Sequence, residues 1–192
     1  AFLFYVDLAR IGEGIDVNLW VDSVILRRVW PDTLKVDVVE QRPLARWGND
    51  ALLNLRGEIF RPQPLPVFPD LVRLRGEEQD AARISREFQR IHTLLDTVGL
   101  ELSEVQVDAR QAWLLQTREG MRLNLGRREI IPRLTRFVRL YPSLNEARQA
   151  RLKQADLRYT NGFAAIWEVS PELQTHRDVP AGTGMRHRLA GN

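Results

Sequence analysis

The sequence predicts an α+β fold in which a mixed or antiparallel β-sheet is flanked by two helices. Two segments, Glu77–Val98 and Glu129–Tyr141, repeat apolar residues at spacings of three and four, as amphipathic helices do. Much of the remaining chain consists of short runs of alternating apolar and polar residues separated by glycine and proline, a pattern typical of strands.

The chain begins with a predicted amphipathic helix over Ala1–Trp20, after which the hydrophobic period changes to two. Val21–Val29 and Thr33–Glu40 are predicted strands, and Trp30-Pro31-Asp32 between them is a predicted turn because proline presets its backbone. The first forty residues therefore predict a helix followed by a two-stranded unit.

Beyond Pro43 we expect short strands and one surface connection. Four of the ten prolines lie within Pro62–Pro69, and such a segment cannot join a central sheet because it lacks backbone donors. The strands predicted on either side of this segment are Leu44–Trp47, Ala51–Leu55, Glu58–Phe60 and Leu71–Leu74.

Glu77–Val98 is the most regular helix, with acidic residues at its start and Gly99 where a C-cap belongs. Its apolar stripe could serve a coiled-coil partner, but its short length favours packing on the chain's own sheet. Three predicted strands follow it, at Ser103–Ala109, Trp113–Thr117 and Met121–Leu125.

The second helix, Glu129–Tyr141, places Pro132 in its first turn and lies in an arginine-rich segment. Two interpretations of these arginines are open, a solvated helix face or a surface for an anionic partner. The residues are Arg127, Arg128, Arg133, Arg136 and Arg139.

Gln154–Glu168 is predicted to be a β-hairpin turning at Thr160-Asn161-Gly162, since Asn and Gly tolerate positive φ. A three-residue loop with Gly162 in the left-handed region would place Tyr159 on one face with Phe163 and Trp167. A two-residue loop would move Phe163 and Trp167 to the opposite face, because strand side chains alternate. We favour the three-residue loop for its more uniform apolar face.

The final predicted strand, Phe163–Glu168, carries no charge before Glu168 and is expected at the edge of its sheet. An uncharged edge strand is a template for a strand from another chain, with aromatic side chains adding specificity. The alternative is that Tyr159 and Trp167 are ordinary core aromatics.

Composition limits the class of protein. The 192 residues, 44% hydrophobic and 28% charged, are typical of globular proteins, and no apolar run reaches eighteen residues. The chain lacks cysteine, which excludes disulfides and thiolate metal sites, and its net charge of +3 is too small to predict nucleic-acid binding.

The sequence predicts no enzyme, cofactor or metal site. His92, His176 and His187 are the only histidines, and no metalloprotease, nucleotide-binding or hydrolase motif is present. The absence of these motifs favours a binding protein over an enzyme.

Six segments in a fixed order carry a resemblance to a known family: Trp20–Val24, Arg28–Val36, Glu40–Trp47, Leu123–Arg127, Arg136–Pro142 and Asp156–Trp167. The first three resemble the end of the POTRA module of the FtsQ/DivIB family of bacterial cell-division proteins. The others resemble the β domain of that family.

The resemblance implies a single-pass inner-membrane protein at the division site, with this part in the periplasm and its membrane helix outside the chain. Its domains would be an N-terminally incomplete POTRA-like module over residues 1–46, a β domain over 47–168 and a flexible tail over 169–192.

The resemblance also implies a non-enzymatic scaffold that binds the division proteins FtsB and FtsL, with the last strand of the β domain accepting a strand from FtsB. Other division proteins could bind the POTRA module. The implied partner-binding residues are Arg110, Tyr159, Asn161, Gly162, Phe163 and Trp167. The alternative function is a periplasmic module that binds peptidoglycan or another anionic ligand through the arginine-rich helix.

Overall fold

A computed structural model describes residues 19–160 and 162–168. Its first unit is an antiparallel ribbon of β1 (Val21–Val29) and β2 (Thr33–Glu40) joined by a turn at residues 30–32. Both predicted strands and the predicted turn are confirmed. Each strand is rich in β-branched residues, which favour strands, and Pro31 lies in the turn between them. Residues 1–18 of the predicted first helix lie outside the described residues.

The second unit is a nine-stranded mixed sheet in the order β11-β10-β9-β8-β7-β6-β3-β4-β5. The β3–β6, β6–β7 and β9–β10 pairs are parallel and the others antiparallel. Its strands are β3 (Pro43–Trp47), β4 (Ala51–Asn54), β5 (Ile59–Phe60), β6 (Arg73–Arg75), β7 (Leu102–Val107), β8 (Trp113–Thr117), β9 (Arg122–Gly126), β10 (Leu152–Asp156) and β11 (Ala164–Trp167).

The helices are α1 (Ala81–Asp96), α2 (Ile130–Leu140) and α3 (Glu146–Arg151), with 3-10 turns at Glu78–Asp80 and Tyr141–Ser143. Gly99 follows α1 with a φ of 69°, as expected for a C-cap glycine. The short helix α3 was missed from the sequence, although Asn145 caps it by accepting a hydrogen bond from the Arg148 amide.

One face of the sheet forms the core. Residues paired across seven strands make a continuous apolar row, the core row, because period-two alternation places them all on this face. Its members are Trp47, Leu74, Val105, Leu115, Leu123, Ala155 and Ala165. Phe88 and Leu95 of α1 and Phe137 of α2 belong to the same buried cluster, which confirms that α1 packs on its own sheet.

From β3 to β10 the opposite face of the sheet is polar, whereas Leu52 and Phe60 continue the same row as buried apolar residues in β4 and β5. The next row along the same strands, the polar row, alternates with the core row and comprises Arg46, Arg73, Glu104, Gln116, Arg122, Gln154 and Ile166. Gln116, Arg122 and Ile166 are exposed. Helices and polar side chains therefore occupy different sides of one sheet.

The predicted tight hairpin at the end of the chain is wrong. β10 ends at Asp156 and β11 begins at Ala164, so seven residues separate two strands that pair Asp156 with Ala164. Leu157 turns inward and is buried, and the Leu157 amide donates to the Asn124 carbonyl. The pairing of β10 with β11 ends at Asp156, so Tyr159 lies in the loop and shares no strand face with Trp167.

The ribbon and the sheet meet through a polar cluster and an aromatic contact. Arg56 donates to both carboxylate oxygens of Asp22 in β1, the Nη1 bond measuring 2.9 Å, and also pairs with Glu58. The Trp20 ring meets Phe60 edge-on with centroids 5.7 Å apart. In the described part of the chain, no helix combines the length and apolar composition needed to cross a bilayer.

Candidate partner-binding surface

Strand β11 forms one end of the nine-stranded sheet, and no described strand pairs with its outer side. The Glu168 amide donates to the Arg151 carbonyl on the β10 side at 2.8 Å. Because backbone groups point to alternate sides along a strand, those of Ala165 and Trp167 point away from β10. Two residues thus offer donors and acceptors to an added strand.

The side chains of β11 are entirely apolar. Ile166 is 58% exposed on the polar face of the sheet, while Ala165 and Trp167 are half-buried against the core. Exposed edge strands usually carry charge or proline, which discourage pairing. No such residue interrupts Ala164–Trp167, so the edge keeps its capacity to pair.

A shallow depression of about 410 Å³ lies at the start of β11. Tyr159, Thr160, Gly162, Phe163 and Ala164 line it. Tyr159 is 58% exposed, whereas the Phe163 ring meets Phe137 of α2 edge-on with centroids 5.3 Å apart. The two aromatics thus differ, since Phe163 anchors the loop to the core and Tyr159 faces solvent.

The loop that carries Tyr159 is held by arginines. Arg136 of α2 donates through Nη2 to the Tyr159 carbonyl at 2.9 Å, and Arg133 donates to the Leu125 carbonyl at 2.7 Å. Arg158 hydrogen-bonds the Asp156 carboxylate, which lowers the pKa of that carboxyl below its usual value. At least two of the helix arginines therefore bind the chain itself.

Trp167 lies at the far end of β11, beside a second concavity of about 410 Å³ that Arg148 and Arg151 also line. Trp167 is paired with Leu152 across the β10–β11 ladder, and its side chain packs partly on the core. It is thus neither a sealed core residue nor a free surface residue, and it can contribute to both stability and binding.

Arg110 lies in the exposed loop between β7 and β8, at the same end of the sheet as the Tyr159 loop. The Asp108 carboxylate accepts from the Arg110 amide at 2.9 Å, and Gln111 donates to Asp80 at 2.9 Å. The two loops are three strand spacings, roughly 14 Å, apart. The Arg110 guanidinium makes no ion pair with another described residue.

The structure brings Tyr159, Gly162 and Phe163 together in the loop at the start of β11. Trp167 lies at the other end of β11, and Arg110 lies apart from both places. Asn161 lies outside the described residues. A side chain at Gly162 would meet no described atom within 4 Å. Sequence reasoning missed Ile166, although alternation with Trp167 would have marked it as the outward apolar residue of the edge.

The arrangement is suited to binding. Among residues 19–160 and 162–168, no group of three His, Cys, Asp or Glu side chains could hold a metal ion. What converges at β11 is unpaired backbone, apolar side chains and flanking arginines, which are the groups that recognise an extended peptide.

Comparisons with known proteins agree with these features. The family model for the C-terminal part of cell division protein FtsQ/DivIB matches residues 45–158, and that for the FtsQ-type POTRA domain matches residues 1–41. Arg110 falls inside the first match, and the Tyr159 loop and β11 follow it.

Curated relatives called cell division protein FtsQ match most of the chain. Those of Cellvibrio japonicus and Xanthomonas campestris are 36% and 38% identical over 84% and 83% of the chain, which cover 50% and 57% of their lengths. That of Allochromatium vinosum is 37% identical over 94% of the chain, covering 72% of its own length. The chain thus spans about half to three quarters of the length of these relatives.

Proposed function

Because this chain belongs to the FtsQ/DivIB family of cell-division proteins, we propose that it is a non-enzymatic scaffold of the bacterial divisome. In this proposal β11 receives a β-strand from FtsB, and the complex with FtsL is recruited through that contact. The protein is anchored in the inner membrane by a single helix that precedes this chain, with the part described here in the periplasm.

The observation that carries the proposal is the outer side of β11, with no described strand beside it. An incoming strand would find the outward backbone groups of Ala165 and Trp167, the apolar side chain of Ile166 and a depression at each end. Main-chain bonds would give affinity, and the two depressions would select side chains.

The proposed domains are a POTRA-like module over residues 1–46 and a β domain over 47–168, and the tail predicted over 169–192 lies outside the described residues. Strand β3, which begins at Pro43, pairs within the larger sheet. An N-terminal truncation that expresses the β domain alone should therefore begin before Pro43, so that strand β3 remains intact.

The sharpest test removes a single outward backbone donor. Proline at an edge strand is tolerated when its nitrogen faces away from the sheet. Ala165→Pro should therefore leave the melting transition largely intact and abolish capture of the FtsB–FtsL complex in a pull-down. Ala165→Ser is the matched control, because it changes the side chain and keeps the N–H.

Undiminished capture by a folded Ala165→Pro protein would exclude strand addition at β11. Loss with Ala165→Ser as well would show that side-chain contacts, and not the backbone donor, determine binding.

A further inference from the structure

Two arginines of the polar row stand side by side. Arg46 of β3 and Arg73 of β6 are register partners in adjacent parallel strands, and alternation places both on the face opposite the helices. Like charges directly opposite each other in a sheet are unfavourable. A counterion is therefore expected between them.

No described carboxylate pairs with either side chain. Glu104, the register partner of Arg73 on the other side, accepts from Arg75 Nε at 3.0 Å. The neighbouring Arg118 forms an ion pair with Glu101 at 2.9 Å and donates a hydrogen bond to the Asp70 carbonyl. The acids near this pair are thus already bonded to other arginines, and neither Arg46 nor Arg73 forms an ion pair with a described residue.

The Nε of Arg73 provides an independent indication. It is buried, and it is the one buried side-chain nitrogen or oxygen in the described part of the chain that has no hydrogen-bond partner. A buried donor without an acceptor is unfavourable, and most such groups in folded proteins are bonded to protein, water or an ion. The described chain therefore leaves the hydrogen bonding of the Arg73 guanidinium incomplete.

Arg46 and Arg73 line one hollow of about 230 Å³, together with Arg118, Ser103, Glu104 and Leu71. Guanidinium groups present a planar set of donors that matches the paired oxygens of a carboxylate or phosphate. The hollow thus combines size, charge and donor geometry that suit a small oxyanion.

We propose that Arg46 and Arg73 form a binding site for an oxyanion, a carboxylate or a phosphate group, on the face of the sheet opposite the helices. The group would bridge the two guanidiniums through their terminal nitrogens. Glu104, held by Arg75, would limit the site to one anionic group.

This site is separate from the docking edge. Strands β7, β8, β9 and β10 lie between β6 and β11, so a ligand on Arg73 leaves the outer side of β11 unoccupied. A failure of strand addition at β11 would therefore not affect the oxyanion proposal, and the converse also holds.

Titration with sodium acetate and, separately, inorganic phosphate at constant ionic strength tests the site by NMR. We expect the Nε–Hε signal of Arg73 to shift along a saturable curve, and the apparent Kd to rise at least tenfold in Arg46→Gln. Arg73→Lys, which keeps the charge and removes the planar guanidinium, should weaken binding similarly when the backbone amide signal of residue 73 is followed, since this variant has no Nε–Hε signal. Saturation by acetate alone would identify a carboxylate ligand, and saturation by phosphate alone would identify a phosphoryl ligand.

Arg122→Gln is the matched control, because it removes one exposed charge from the same row outside the hollow. The proposal is overturned if neither anion gives saturation, if sodium chloride produces the same shift, or if Arg122→Gln weakens binding as much as Arg46→Gln. A thermal melt of each variant shows whether it is folded.

Discussion

At the scale of single residues, the two aromatics first expected to act alike have different environments. Tyr159 lies in a loop with its ring largely exposed, whereas Trp167 lies in β11 with its ring partly packed on the core. The sequence offered docking and core burial as alternatives for both. The structure supports exposure for Tyr159 and a mixed role for Trp167.

Tyr159→Ala should therefore leave the melting temperature nearly unchanged and weaken partner binding, because an exposed ring contributes little to the core. Trp167→Ala should weaken binding and also lower the free energy of unfolding by about 1–3 kcal/mol, since half-buried apolar contacts are lost. Urea denaturation and pull-down, performed on the same preparations, separate the two effects. A large loss of stability in Tyr159→Ala would contradict the assignment.

Asp156 should make the Tyr159 loop sensitive to acid. The hydrogen bond from Arg158 lowers the pKa of the carboxyl in the folded state. The resulting stabilisation is complete above the unfolded pKa of about 3.9 and is lost as pH falls through the lower folded value.

A carboxyl-detected NMR titration should place the Asp156 midpoint below that of an unfolded peptide, and Arg158→Gln should move it back upward. An unchanged midpoint in Arg158→Gln would show that another group sets the pKa.

At the scale of elements, the arginine-rich helix α2 acts partly as a support for its neighbours. Arg133 and Arg136 bind main-chain carbonyls of the β9 end and the Tyr159 loop. The sequence interpretation of this helix as an anionic-ligand surface included the same two residues. Their guanidiniums already have acceptors in the chain, which weakens that interpretation.

Arg136→Gln should loosen the loop and weaken partner binding without unfolding the sheet, because the Tyr159 carbonyl loses its donor. Faster hydrogen exchange at residues 157–160 would report the change. Arg139→Gln in the last turn of α2 is the control, since the Arg139 side chain is exposed and makes no hydrogen bond or ion pair with another described residue. Equal exchange in both variants would contradict a holding role for Arg136.

At the scale of the whole molecule, the ribbon and the large sheet are connected by a small contact. Arg56 bonds Asp22 across that contact and Glu58 within its own hairpin, and the hydrogen bond from Arg56 to Glu58 lowers the pKa of the Glu58 carboxyl. The Asn54 side-chain amide also donates to Gln41 Oε1 at 3.0 Å, and the Trp20 ring meets Phe60. Arg56 makes the ion pair of this contact, so we expect the angle between the two units to depend on Arg56.

Arg56→Gln should therefore increase proteolytic cleavage between β2 and β3 while the sheet remains folded. Limited proteolysis followed by mass spectrometry measures this, with Arg28→Gln as a control because Arg28 is exposed on the ribbon and has no described ion pair. Equal cleavage in wild type and Arg56→Gln would show that the Arg56–Asp22 ion pair does not hold the ribbon and the sheet together.

The sequence by itself determined most elements, the mixed sheet flanked by helices and the family. Strands such as Val21–Val29 and Trp113–Thr117 were predicted with their exact bounds, because alternation and turn residues are local signals. It also identified Phe163, Trp167 and the final strand as unusual, since an uncharged apolar edge is visible in composition alone.

Only the tertiary structure decided the long loop before β11, the exposure of Tyr159, the position of Arg110 and the pairing of Arg46 with Arg73. Each depends on which strands become neighbours, and residues that meet there are distant in the chain. The end of β10 shows the cause most clearly: Leu157 still keeps the strand alternation and its amide still bonds Asn124 of β9, but the chain then leaves the sheet and returns only at Ala164, a length of loop that no local pattern specifies.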